Sequence, residues 1–158
     1  MDAPRIYSTA VLPEWIDYNG HLRDAYYGLV LSYACDALMD HLGMDVAYRQ
    51  QTQCTLYTLE EHIHFLHEVK SSDTVEVSVR LSAADNKRLH AAFDFYCARY
   101  PDPVAMGELM LLHVQQGASP KAVAFPPQIG AAIESLLGAT SGIKPPGPTS
   151  RRLELRPR

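Results

Sequence analysis

Apolar and β-branched side chains from Ile6 to Leu12 read as a strand, which Pro13 closes. A polar turn, Asp17-Tyr18-Asn19-Gly20-His21, follows, and its Asn-Gly step is strong turn chemistry. From Leu22 to Leu42 the period becomes helical. Tyr26, Val30, Tyr33 and Ala37 form one stripe, and Tyr27, Leu31, Ala34 and Leu38 form a second beside it. Two adjacent stripes predict a helix that is apolar over most of its surface and largely buried, with Gly43 as its stop.

The period then drops to two. Leu56 to Phe65 alternates loosely, with Leu59, Ile63 and Phe65 on one face. Thr74 to Leu81 sets Val75, Val77, Val79 and Leu81 against Glu76, Ser78 and Arg80. Asp85-Asn86-Lys87 reads as a hairpin connection. Leu89 to Ala98 places Leu89, Ala91, Phe93, Phe95 and Cys97 together, and Val104 to Val114 is the last long strand. Pro126 opens a short helix through Leu137.

A strand, one long apolar helix and four further strands in antiparallel succession define an α+β class. The helix must bury its surface against the sheet, so an antiparallel sheet of about five strands wraps around one long central helix. Such a sheet keeps an open edge, and pairing two protomers edge to edge would cover it. A homodimer or homotetramer is therefore expected. Residues 1–138 form a single domain, and 139–158 form a flexible tail containing Pro and Arg.

Hydrophobic residues at 47% and charged residues at 20% mark a globular chain. The net charge of -4 argues against a general nucleic-acid binder. No stretch is long and apolar enough to span a bilayer, and Met1 to Ala10 has no secretory pattern. Cys35, Cys54 and Cys97 are an odd number at irregular spacing, so no disulfide framework is expected and a cytoplasmic location fits.

Polar chemistry concentrates where the first strand meets the long helix. Asp17, Asn19 and His21 lie within five residues between two apolar elements. Low-dielectric walls there would raise the pKa of Asp17. Unpaired N–H groups at a helix start can stabilise an oxyanion, and a nearby carboxylate can act as base toward water or as nucleophile. Asp, Asn and Gly before a helix are also ordinary turn and cap residues, and spacing alone favours that role. Glu60 and His62 share a second polar face, with Glu61 on the other; a register shift of one residue would exchange Glu60 for Glu61. His62, His64 and His67 invite a metal reading, but His67 has the opposite parity and no Cys-x-x-Cys accompanies them, so no metal site is expected.

The stretch Val11-Leu12-Pro13-Glu14-Trp15-Ile16-Asp17-Tyr18-Asn19-Gly20-His21-Leu22-Arg23-Asp24-Ala25-Tyr26-Tyr27 resembles the signature of hotdog-fold thioesterases of the hydroxybenzoyl-CoA and acyl-carrier thioesterase superfamily. There an Asp-x-Asn-x-His motif leads into the central helix. Carried over, the resemblance implies Asp17 as the catalytic carboxylate, with Asn19 and His21 at the motif's other positions. Tyr57 to Ile63, Asn86 to His90 and Glu108 to Val114 are similar to thioesterases of carnitine catabolism, which hydrolyse betainyl-CoA and sometimes occur fused to carnitine dehydrogenase. The resemblance implies an acyl-CoA substrate and no separate cofactor, coenzyme A being part of the substrate.

Betaine carries a quaternary ammonium, which donates no hydrogen bond and is held by aromatic faces and a carboxylate. Trp15, Tyr18, Tyr26 and Tyr27 cluster around the motif, and Glu60 with His62 would approach the helix entry from a second protomer. Lys87 and Arg88, with Lys70, are candidate contacts to the phosphates of CoA. Two rivals remain. One is a hotdog hydratase acting on an enoyl thioester, whose Asp–His pair is usually spaced one residue wider than Asp17 and His21. The other is a non-catalytic acyl-CoA-binding module.

Overall fold

The computed structural model describes residues 3–147 and 149. β1 (Arg5–Ala10) leads through a 3₁₀ turn at Pro13–Trp15 into α1 (Asp24–His41). Then come α2 (Val46–Thr52), β2 (Cys54–Phe65), β3 (Thr74–Ala84), β4 (Arg88–Cys97), β5 (Ala105–Gln115), the short β6 (Lys121–Ala122) and α3 (Pro127–Thr140). One antiparallel sheet runs β1-β3-β4-β5-β2, and β6 pairs with the end of β5. This sheet curls around α1, which is the hotdog arrangement expected from the sequence.

The expected succession of hairpins fails between β2 and β3. β2 pairs with β5 at the far side of the sheet, while β3 sits between β1 and β4. The connection 66–73 passes the start of α1, where the Leu22 N–H donates to the Val69 carbonyl at 2.7 Å. Val69 is fully buried there and anchors to the core a connection whose other residues are mostly exposed.

α1 is buried along one stripe, not over most of its surface. Tyr27, Leu31, Ala34 and Leu38 are all buried, whereas of the other predicted stripe Val30 alone is buried and Tyr33 stays 43% exposed. The sheet covers one side of the helix, and the other side faces outward. α1 packs closely over Gly107 of β5, where a Cβ would stand 2.8 Å from Leu31 Cδ2. A glycine in mid-strand thus marks the close approach of helix and sheet. Gly43, with φ at +85°, ends the helix as predicted.

α2 had no counterpart in the sequence pattern. Its N-cap Asp45 accepts from the Tyr48 N–H at 2.9 Å. Tyr48 then joins buried His113: its hydroxyl lies 2.9 Å from Nε2, and Nδ1 lies 2.9 Å from the Val123 carbonyl. A carbonyl only accepts, so Nδ1 carries the proton.

The sheet face turned away from α1 is polar but not wholly solvated. Arg80 and Asp94 form a two-bond ion pair at 3.1 and 3.0 Å, each with a 4% exposed side chain. Thr140 is buried at the end of α3, where its hydroxyl accepts from the Leu81 N–H and donates to the Leu136 carbonyl. α3 therefore runs past the boundary placed at Gly138. Arg151, Arg152, Arg156 and Arg158 of the expected tail lie outside the described residues. No helix among the described residues is long and apolar enough to cross a membrane.

Candidate active site

The motif residues form a closed turn ahead of α1 rather than its cap. Ile16 and Leu22 bridge, the Asp17 N–H donates to the His21 carbonyl at 2.8 Å, and Gly20 adopts φ of +79°. That left-handed corner is where a glycine is needed. Asp17 Oδ1 accepts from the Asn19 N–H at 2.8 Å and the His21 N–H at 3.2 Å. Asn19 and His21 thus hold the Asp17 carboxylate through their backbones. The N-cap of α1 is Arg23, which supplies no side-chain cap.

Partial withdrawal from water pushes the Asp17 carboxyl up, but the amides of His21 and Asn19 and the positive character of His21 and Arg23 outweigh it. The result lies below the ordinary aspartate value, correcting the rise expected from apolar walls. Asp17 is an ionised carboxylate at neutral pH, suited to accept a proton from water or to attack a carbonyl.

Asp17 opens into a cleft of about 550 Å³ beside the first turn of α1. Its far wall is Phe65 and Leu66 at the end of β2, and Tyr27 projects from α1, edge-on to Phe65 with ring centroids 5.1 Å apart. Burial pushes the Tyr27 hydroxyl up to about 12, so it remains a neutral donor. His21 Nε2 lies 3.0 Å from Glu68 Oε2, on the connection that carries Val69. Arg23 also lines the cleft.

A family model described as the thioesterase-like superfamily matches residues 11–133. The chain belongs to this superfamily. A betainyl-CoA thioesterase of Pseudomonas aeruginosa is 45% identical over 151 residues, 96% of this chain and 94% of that one. An L-carnitine dehydrogenase/betainyl-CoA thioesterase of Agrobacterium fabrum is 39% identical over 144 residues, 89% of this chain and 28% of its own longer chain. A Pseudomonas putida protein described as a thioesterase superposes with a TM-score of 0.86 at 38% identity, covering 99% of each chain.

Within this thioesterase fold the sequence-predicted residues separate into distinct places. Asp17, Tyr18 and His21 line the cleft at the start of α1, and Asn19 shapes the turn. Tyr18 is 92% exposed. Trp15 is buried and stacks on Tyr26 at 5.3 Å, so these rings cover each other. Glu60 and His62 pair at 3.2 Å on the sheet face away from α1, beside a second pair, His90 and Glu108, at 2.9 Å. They do not line the Asp17 cleft. Glu61 faces α1 instead, with Oε1 3.4 Å from the position of a Cβ on Gly28.

Lys87 and Arg88 stand at the far end of the sheet from Asp17. Arg88 pairs with Leu112 of β5, while Phe65 pairs with Ala105, seven residues away or about 23 Å along the strand. Arg88 is also engaged by Asp85 through bonds of 2.7 and 2.6 Å. The cation at the cleft is Arg23.

Sequence reasoning passed over Arg23, Phe65 and Glu68. Phe65 was visible as a large apolar residue ending a strand; Glu68 carried no signal, because its partner His21 is distant in sequence. Among the described residues no group of His, Cys, Asp or Glu is placed to hold a metal ion.

Proposed function

We propose that the protein hydrolyses an acyl-CoA thioester and that its substrate is betainyl-CoA, giving betaine and CoA. The observation that carries this is Asp17: an ionised carboxylate, fixed by two backbone amides, at the mouth of a cleft beside the start of α1. The 45% identity to a betainyl-CoA thioesterase along nearly the whole chain supports the choice of acyl group.

In the general-base route Asp17 takes a proton from water as the water oxygen adds to the thioester carbonyl. The electron pair moves to the carbonyl oxygen, toward the N–H groups of the first turn of α1, where the helix dipole is positive. The carbon–sulfur bond then breaks, and CoA leaves as a thiolate that takes a proton. In the nucleophilic route Asp17 itself adds to the thioester carbonyl, the carbon–sulfur bond breaks with CoA leaving as a thiolate that takes a proton, and water hydrolyses the resulting mixed anhydride to free the acid and Asp17. His21, held by Glu68, and neutral Tyr27 bound the reacting region.

The outer edge of β2 is twelve residues long, carries no neighbouring strand among the described residues and exposes Leu59, Phe65 and Tyr57. An apolar open edge of this kind favours pairing with a second protomer, and we assign the working form to a homodimer joined there.

CoA release from betainyl-, acetyl-, benzoyl- and octanoyl-CoA tests the reading. Betainyl-CoA should be cleaved fastest. Asp17→Asn should lose roughly 10²–10⁴-fold in kcat while the protein stays folded, because an asparagine oxygen still accepts from both amides. The ionised form is the active one and its pKa is lowered, so the acid limb of the rate should lie below the ordinary aspartate value. Release that survives Asp17→Asn would refute the assignment; a different best thioester would remove betaine while keeping the chemistry.

A further inference from the structure

The Asp17 cleft has an acidic and aromatic wall that the hydrolytic steps leave unused. Asp17, Asp24 and Glu68 line the cleft against one guanidinium, that of Arg23. A cationic acyl group is therefore favoured there over an anionic one. In a betainyl group a single methylene joins the ammonium to the carbonyl carbon, so both must lie in the same cleft. That requirement removes the other aromatic candidates. Trp15 and Tyr26 stack on each other, Tyr18 stands out in solvent, and Glu60 does not line this cleft.

What remains is Phe65 with Glu68. Phe65 ends β2, and Tyr27 of α1 meets its ring edge-on, leaving it 54% exposed at the cleft. Glu68 follows on a stretch of chain anchored on both sides. The Leu66 and His67 N–H groups both donate to the Val104 carbonyl, at 2.9 and 3.0 Å, and the Val69 carbonyl accepts from the Leu22 N–H. The Glu68 carboxylate pairs with the side chain of His21, the residue whose own N–H holds Asp17. The charge is thus placed on the Asp17 side of the cleft before substrate arrives, and binding has little left to order.

A trimethylammonium group is attracted by the face of an aromatic ring and by a nearby negative charge, and it forms no hydrogen bond. Glu68 can therefore act on it without releasing His21. We propose that Phe65 and Glu68 form the subsite for the quaternary ammonium of the acyl group, in the same cleft as Asp17, Phe65 through its ring face and Glu68 through its charge. This rests on the betainyl-CoA reading.

The test compares betainyl-CoA with 3,3-dimethylbutanoyl-CoA, which has the same shape and no charge. Glu68→Gln keeps an oxygen for His21 Nε2 and removes only the charge. In that variant kcat/KM for betainyl-CoA should fall about tenfold or more, while that for the neutral isostere changes less than about twofold. Phe65→Leu keeps apolar bulk and removes the ring face, and should cost betainyl-CoA about fivefold relative to the isostere. Phe65→Tyr, which keeps the face, should retain the wild-type ratio. Both side chains are more than half exposed, so the variants should fold as the wild type does. Equal losses on both substrates in Glu68→Gln would mean that it acts only through His21 and would overturn its role. An unchanged ratio in Phe65→Leu would overturn that of the ring. Wild-type protein that cleaves the two thioesters equally well, or only the neutral one, would fail at the betainyl-CoA reading itself, and the subsite would fall with it.

Discussion

Replacing Asp94 with asparagine should destabilise the protein by about 3–5 kcal/mol, the usual cost of breaking a buried ion pair from one side. Asp94 and Arg80 are each 4% exposed at the side chain and share two bonds near 3 Å. Asparagine keeps the shape, so no cavity opens; what changes is that the Arg80 charge stays buried with its counter-ion gone. For a chain of this length 1 kcal/mol moves the melting temperature by about 2–4 °C, so Asp94→Asn should melt about 6–20 °C lower. Removing both charges in Arg80→Met with Asp94→Leu should melt above the single variant, since no charge is then stranded. Circular dichroism melting at one fixed protein concentration reads both, because assembly would otherwise shift the transition. Neither residue lines the Asp17 cleft, so CoA release per folded molecule should be unchanged at 25 °C. A loss below about 1 kcal/mol for Asp94→Asn, comparable to a surface pair, would refute the reasoning.

The hairpin between β3 and β4 should respond to acid. The Lys87 N–H and the Arg88 guanidinium hold the Asp85 carboxyl down to about 2. A depressed folded pKa contributes stability above the unfolded value and loses it as pH falls through the folded one. The Asp85 contribution should therefore disappear between about pH 4 and pH 2, and Asp85→Ala should melt with a flatter pH dependence across that window. Cys35, Cys54 and Cys97 are buried, and desolvation pushes the Cys35 thiol up to about 12. Native protein should therefore give no fast signal with a thiol reagent, and all three cysteines should react in denaturant; fast labelling of folded protein would contradict their burial.

The first strand, the long helix and the alternation of β3 were legible because each follows from local period. Val75, Val77, Val79 and Leu81 are all buried on one face, as their spacing required. The motif at Asp17 was legible by resemblance, and the Asn-Gly corner by turn chemistry. α2 was not, because Val46 to Thr52 makes barely two turns and its cap, Asp45, is a single polar residue between Met44 and Val46. The direction of the Asp17 pKa was misjudged for a similar reason. Apolar neighbours in sequence argued for desolvation, while the amides that outweigh it depend on how the turn closes.

By itself the sequence determined which faces are apolar, where the chain turns and which carboxylate leads into the central helix, since these depend on residues a few positions apart. The tertiary structure alone decided which carboxylates are free. Glu60 and Glu61 are adjacent and chemically identical, yet one is paired with His62 on the outer face of the sheet and the other stands exposed beside Gly28 of α1. Strand parity and the bulge between Thr58 and Glu60 set that difference. A bulge is a property of how two strands meet, so neither strand's own pattern reveals it.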